Sequence, residues 1–354
     1  MKPVSLSIFL LAIMGFGCQS PDWKDAIPQA VSSESWALSS LGWTDPTVLQ
    51  LDVGENELRV LGRNTLIRLD AHENAIEASI RSYHDIDLFS RPVFSHQFFL
   101  YKHSQRNNYF LMEPTDWTME INSNRPVGVR LYSVNDPPPD DTSYAAFLNG
   151  TESGAVNAWG EFLVASIKKS TPGQVTLFLL DPYRWFPYDG RFTNARQWEV
   201  TLPAEAGTQM VRLTGLDDDF LVSTELATFL LRRDGSLAKL WDTRTTHAFV
   251  LENGWYAEAG GDLRHSTDKG ASWQISGPGA GRLGAGEYFV VDTTLLFARK
   301  DSLYHVDVRS GALKPLSNHG LSGNQITAVA GFTDQVYVAT LTGLFQKSRH
   351  ALLR

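Results

Sequence analysis

The chain has 354 residues, a formal net charge of −8, 43% hydrophobic and 20% charged residues, and one cysteine. That is room for one large domain or two ordinary ones, with a real core, and not the composition of a disordered chain. It holds no Lys/Arg block with which to grip nucleic acid or anionic lipid. A single cysteine excludes an intrachain disulfide, a thiolate metal centre and a CxxC redox pair.

The N-terminus reads as an address. Lys2 precedes an uncharged run from Val4 to Phe16, too short to span a bilayer, and Gly17 and Cys18 follow it. Residues 1-17 are expected to be an export signal. Met14-Gly15-Phe16-Gly17-Cys18 resembles the lipobox of bacterial lipoproteins, which implies lipidation of Cys18 and a lipid anchor on the cell envelope, at the outer membrane or in the periplasm, with plain secretion as the alternative. Gly15 stands where that family usually has Leu. Residues 18-34 are Ser/Ala-rich, with Pro21 and Pro28 as breakers, and read as a tether.

From residue 35 onward alternation dominates, and no segment keeps a 3.6-residue apolar stripe. Seven hairpins follow in order: Leu58-Val60 with Leu66-Leu69, Phe99-Tyr101 with Tyr109-Leu111, Phe162-Val164 with Thr176-Phe178, and Phe220-Val222 with Phe229-Leu231. Trp255-Ala257 with Asp262-Arg264, Leu295-Phe297 with Leu303-His305, and Tyr337-Ala339 with Leu344-Gln346 complete the series. A recurrence at roughly 40 to 50 residues is the period of four-stranded propeller blades, each of which hides its two apolar faces only against neighbours. The expected fold is therefore all-β, a single β-propeller over residues 35-354. Seven blades fit best, with six or eight as alternatives. An insertion at 135-159, opening with Asn135-Asp136-Pro137-Pro138-Pro139, is a long loop or a degenerate extra blade. The last repeat lacks a fourth strand. A segment around Ser35-Leu41 is expected to fill that place and close the ring, with Ala351-Arg354 as the alternative.

Two stretches carry resemblances. Ser266-Thr267-Asp268-Lys269-Gly270-Ala271-Ser272-Trp273 resembles the Asp-box of bacterial neuraminidase repeats, sortilin-like propellers and photosystem II assembly propellers. The resemblance implies a structural hairpin on the outside of a blade, with Ser266, Asp268, Gly270, Ser272 and Trp273 as the signature. Gly320-Leu321-Ser322-Gly323-Asn324 through Ile326-Val329, Val336-Thr340 and Gly343-Phe345 is similar to the repeat of two-component-regulator sensor propellers.

Catalytic signatures are sparse. No GxSxG, HExxH or P-loop occurs, and the neuraminidase Arg-Ile-Pro signature lacks its Ile at Ser90-Arg91-Pro92. His96 and His103 are not at ligand spacing on one element, and Leu216-Asp217-Asp218-Asp219 reads as a solvated turn before Phe220 rather than a cation site. No catalytic residue, metal or cofactor is expected. The loops assigned to the binding face nominate His84, His103, Arg106, Lys169 and His319 as weak contact residues. The aromatic run Tyr183-Arg184-Trp185-Phe186-Pro187-Tyr188 is assigned to an outer hairpin. The functional expectation is a monomeric, non-catalytic binding or scaffold module for a protein or glycan partner, touching the membrane only through its anchor. The alternative is a propeller glycoside hydrolase or lyase, sialidase-like, with an unrecognised site in the central channel.

Overall fold

The computed structural model describes residues 35–352, apart from 40–46, 55, 63–64, 73–74, 80–92, 96–97, 103–108, 113–127, 132–143, 148–153, 169–174, 181–195, 208–210 and 253. All of them belong to one compact unit, Ser33–Arg354. The export signal, the tether and Cys18 lie outside the described residues, as do Tyr183–Tyr188.

Strand β1 (Ala37–Leu38) opens the described chain, and seven antiparallel sheets follow. The first is β2 (Val48–Val53), β3 (Glu57–Gly62), β4 (Thr65–Asp70) and β5 (Ala75–Ser79). The second is β6 (Val93–Ser95), β7 (Phe98–Lys102), β8 (Tyr109–Met112) and β9 (Gly128–Leu131). The third holds β10 (Tyr144–Phe147), β11 (Gly154–Val156), β12 (Phe162–Lys168), β13 (Val175–Leu180) and β14 (Arg196–Thr201). The fourth is β15 (Arg212–Leu216), β16 (Asp219–Ser223), β17 (Thr228–Leu231) and β18 (Leu237–Trp241). The fifth is β19 (Thr245–Leu251), β20 (Gly254–Ala259), β21 (Asp262–Ser266) and β22 (Gln274–Pro278). The sixth is β23 (Glu287–Val291), β24 (Thr294–Arg299), β25 (Ser302–Val306) and β26 (Leu313–Pro315). The seventh joins β27 (Ile326–Phe332), β28 (Gln335–Thr340) and β29 (Gly343–Ser348) to β1. Each of the seven hairpins legible in the sequence is the central pair of one sheet.

Alternation sorts each strand's side chains onto two buried faces. In the fourth sheet Phe220, Val222, Phe229 and Leu231 pack on Leu163, Leu177 and Leu179 of the third. The residues between them, Leu221 and Leu230, pack with Trp255 and Ala257 of the fifth. The same division joins the fifth sheet to the sixth through Leu251, Leu295 and Phe297, and the sixth to the seventh through Leu296, Ala298, Val336 and Val338. It joins the seventh to the first through Tyr337, Ala339, Leu58 and Val60. At about 1.5–3 kcal/mol for each large apolar side chain removed from water, these faces are the main source of stability, and no sheet would hold its own faces dry alone. First strands lie against first strands: β6 with β11, β11 with β15, β15 with β19, β19 with β23, β23 with β27, and β27 with β2. This all-β arrangement of four-stranded sheets is consistent with a propeller.

Among the described residues the insertion adds two strands to the third sheet. Its β10 pairs with Ser166–Lys168 and its β11 with Phe162–Val164, so the two share one edge of β12 end to end. The chain's last turn also departs from the alternative expected for it. Arg349–Leu352 is one helical turn, α1, and not a strand, because Leu352 is drawn into the apolar cluster that holds Trp36, Leu321 and Phe345. The edge of β29 is taken by β1 instead, with Ala37 opposite Gln346 and Leu38 opposite Phe345. Among the described residues no helix is long and apolar enough to cross a membrane.

Candidate functional site

Of the five nominated contact residues, His84, His103, Arg106 and Lys169 lie outside the described residues. His319 is described, on the connection between β26 and β27, with an exposed side chain. Its segment serves the N-terminus: the His319 carbonyl accepts the Trp36 backbone N–H at 2.9 Å, and the Ser317 carbonyl accepts the Trp36 indole Nε1–H at 3.0 Å.

The hairpin between β21 and β22 holds Ser266, Asp268, Gly270, Ser272 and Trp273 on the last two strands of its sheet. Asp268 Oδ1 accepts the Ser266 hydroxyl and the Ser272 N–H, both at 2.8 Å, and Oδ2 accepts the Ser272 hydroxyl at 2.5 Å. The Ser266 oxygen accepts the Gly270 N–H at 2.7 Å, and the Trp273 indole donates to the Gly270 carbonyl at 3.2 Å before meeting Trp241 edge-on. Gly270 has φ +82, and a Cβ there would strike Leu230 and Trp255, so the turn needs glycine for both conformation and space. The Ser272 side chain and backbone bonds, then the Ser266 bond, pull the Asp268 carboxyl down to about 2. All of these bonds are local to the turn. Asp217–Asp219 also departs from the expected solvated turn: Asp217 accepts the Trp255 indole at 2.8 Å, and the buried Asp219 pairs with Arg232 at 2.6 Å.

The strongest convergence of ionisable groups was not among the nominated residues. It lies where the first strands of three consecutive sheets begin. Arg212 starts β15, His247 is near the start of β19, Glu287 starts β23, and Glu258 of β20 and Tyr288 of β23 stand behind them. Arg212 reaches across the fifth sheet, donating to the Thr246 carbonyl and approaching Glu287 Oε2 at 3.4 Å on the sixth. His247 Nε2 is 2.8 Å from the Gly286 carbonyl and 3.2 Å from Glu287 Oε2. A carbonyl only accepts, so Nε2 carries the proton. Among the described residues His247 Nδ1 is buried without a hydrogen-bond partner, and it lies 3.8 Å from Glu258 Oε2.

Glu258 is 2% exposed and compensated from two sides. Its Oε2 accepts the Tyr288 hydroxyl at 2.8 Å and the Gly281 N–H at 3.2 Å, and the Tyr288 oxygen in turn accepts the Ala280 N–H at 2.7 Å. Burial, and then the Glu258 charge, push the Tyr288 hydroxyl above the ordinary tyrosine range, so it stays protonated and donates. The 279–281 turn can wrap the carboxylate only because it is glycine-rich. A Cβ on Gly279 would meet Glu258 Cδ at 2.4 Å, and one on Gly281 would meet Oε1 at 2.2 Å.

Chemically the group is an imidazole between two carboxylates, braced by a guanidinium and a neutral phenol. It joins three sheets and leaves Glu287, with about a quarter of its side chain in solvent, as the outward acceptor. Two signals in the sequence could have found it. One is Glu258 inside the apolar run Trp255–Ala259, and the other is the run of glycines at 277, 279, 281, 284 and 286. Among the described residues no three His, Cys, Asp or Glu side chains are grouped to hold a metal ion.

No protein-family model matches this chain, and no curated protein matches it by sequence. Solved structures do. A catalytically inactive histidine-to-alanine variant of virginiamycin B lyase from Staphylococcus aureus, solved with quinupristin, aligns at TM-score 0.51 and 9% identity over 88% of this chain and 97% of that one. The extracellular domain of the putative hybrid two-component system BT4673 from B. thetaiotaomicron aligns at TM-score 0.52 and 8% identity, covering 89% of this chain and 40% of that one. YCF48 bound to a peptide gives TM-score 0.49 and 9% identity, with 88% and 96% covered. At such identities the likeness to the lyase and to the extracellular domain is one of fold alone, and that fold is propeller-like.

Proposed function

We propose that this chain is a seven-bladed propeller, closed by β1 in the last blade, which is exported, anchored through a lipidated Cys18, and acts as a non-catalytic binding or scaffold module for a protein or glycan partner. The observation that carries the reading is how the ionisable groups at the inner ends of β15, β19 and β23 are used. Arg212, His247, Glu258 and Tyr288 are taken up in bonds between blades, which makes this end a rigid, pre-organised surface. The pairing of β1 with β29, and the run of first strands that touch from β6 around to β2, support seven blades and closure. The 266–273 hairpin fits the Asp-box role of an outer staple.

The test is cross-linking in intact cells with a photoreactive group at position 287. A discrete cross-linked product that survives His247→Ala supports binding, and no product at any position around this end would refute it. Labelling with a palmitate analogue should mark the wild type and not Cys18→Ser. Equal labelling, or none in either, would end the anchor assignment.

A second reading, a glycoside hydrolase or lyase, is favoured by one observation: His247 Nδ1, without a hydrogen-bond partner among the described residues, stands 3.8 Å from Glu258 Oε2, which puts side by side an imidazole and a carboxylate, the residue types that acid–base catalysis uses. Under that reading His247→Ala abolishes turnover of an envelope polysaccharide while leaving its binding intact.

A further inference from the structure

At the opposite ends of the strands from the His247 group, where first strands turn into second and third into fourth, a cleft of about 420 Å³ lies between the fourth and fifth sheets. Asp218, Asp219, Arg232, Arg233, Asp234, Trp255 and Lys269 line it. Three are acidic and three basic, so the lining carries no formal net charge; Arg232 pairs with Asp219 within it, and the Arg233 guanidinium is held by Glu161 behind it. Arg232 Nη1 donates to Asp219 Oδ2 at 2.6 Å and to the Lys269 carbonyl at 3.0 Å, and the Arg233 N–H donates to Asp219 Oδ1 at 3.0 Å. An ion would have to displace these bonds. Among the described residues the Asp218 and Lys269 side chains take part in none of them, and both residues line the same cleft.

Just outside the lining, next to Arg233, stands an aromatic plane. Trp159, on the turn between β11 and β12, is 54% exposed, the most solvent-open of the described tryptophans. Its ring is nevertheless fixed. The Arg233 guanidinium lies over one face, 4.4 Å from the ring centroid, and is itself held by the buried Glu161 through paired bonds of 2.9 and 2.8 Å. The Trp159 backbone N–H donates to Asn157 Oδ1 at 3.0 Å, and Asn157 Nδ2 donates to Glu161 Oε2 at 2.8 Å and to the Asp218 carbonyl at 3.2 Å. The Ala158 N–H donates to the Asp217 carbonyl at 2.7 Å, which ties the turn to the fourth sheet. A large apolar ring held in water by a buried carboxylate and a cation contributes nothing to a core, and its immobilisation lowers the entropy cost of anything that stacks on it.

We infer that the open face of Trp159 and the cleft next to it form a carbohydrate subsite for neutral sugars, with one hexose or N-acetylhexosamine unit of a longer glycan stacked on Trp159 and the adjoining unit in the cleft. Sugar rings present an apolar C–H face to an aromatic plane and, around their rim, hydroxyls that donate and accept at once. Side-by-side carboxylates and cations without net charge match that rim, and the volume suits one or two rings. The inference rests on the binding-module reading and names a ligand class for a second surface of it.

The experiment is a glycan array probed with the exported domain, followed by titration of tryptophan fluorescence with cellotetraose, maltotetraose and chitotetraose. Saturable binding to a neutral oligosaccharide is expected. It should weaken about tenfold or more in Trp159→Ala, by several-fold in Asp218→Ala, recover in part in Trp159→Phe, and stay unchanged in Leu226→Ser, an exposed site at the far end of the fourth sheet. Urea unfolding of each variant separates lost binding from lost fold. Binding that is equal in the wild type, Trp159→Ala and Asp218→Ala would overturn the site while leaving a glycan-binding module intact. Binding only to anionic glycans, or to none, would overturn the ligand class, and the cross-link at position 287 judges the wider reading independently.

Discussion

Trp36 is where the N-terminal strand is locked to the end of the chain, and replacing it with alanine measures that lock. The indole is 4% exposed among Leu321, Phe345 and Leu352, so truncation leaves a large cavity, which costs about 3–5 kcal/mol. The Ser317 carbonyl loses its indole donor, about 1 kcal/mol more. The Lys347 ammonium, 5.7 Å from the ring centroid, loses a cation–π contact of about 0.5–1 kcal/mol. The total, about 4.5–7 kcal/mol, is a large share of the 5–15 kcal/mol on which a folded domain rests. With a urea dependence of about 3 kcal/mol per molar, Trp36→Ala should lower the unfolding midpoint by about 1.5–2.3 M, and Trp36→Phe, which keeps a ring but no N–H, by about 0.5 M. Amide exchange at Gln346, which pairs with Ala37 on the side of β29 that faces β1, should accelerate in Trp36→Ala. An unchanged midpoint and slope, with Gln346 still protected, would show that β1 is dispensable and refute this account of the seventh sheet.

Two other perturbations test the hairpin and the packing between sheets. Because Asp268 titrates at about 2 in the folded chain and near 3.8 when unfolded, its contribution is full above about pH 4 and lost as the pH falls through about 2. Asp268→Asn should therefore flatten the acid limb of the stability profile over that window and leave ligand binding at neutral pH unchanged. An acid limb identical to wild type would show that the staple bonds do not form in solution. Gly215→Ala would place a Cβ 1.8 Å from the Val156 carbonyl oxygen on the neighbouring sheet, backbone against backbone, so a loss of about 3 kcal/mol or more is expected in calorimetry. A neutral result would mean that β11 and β15 are farther apart than described.

Much of the architecture is legible in the sequence because it is local. A hairpin needs only alternating apolar residues on either side of a turn, and all seven central hairpins, from Leu58–Val60 with Leu66–Leu69 to Tyr337–Ala339 with Leu344–Gln346, announce themselves that way. The 266–273 turn is local too, since every bond in it joins residues at most four apart. The edge that β1 fills could also be anticipated, from a final repeat one strand short. What sequence alone leaves open is everything that depends on which faces meet. Arg212, His247 and Glu287 are scattered single polar residues on three strands, and only the side-by-side run of β15, β19 and β23 makes them neighbours. Trp159 and Arg233 are 74 positions apart by residue number, so no spacing could pair them. The described part of the insertion forms two short strands on β12, where they cover an edge whose N–H and C=O groups would otherwise be open. The final turn became a helix because Leu352 found a buried place beside Trp36. Backbone pattern is written within a few residues, whereas a site is written in contacts between strands, and those exist only after the sheets have packed.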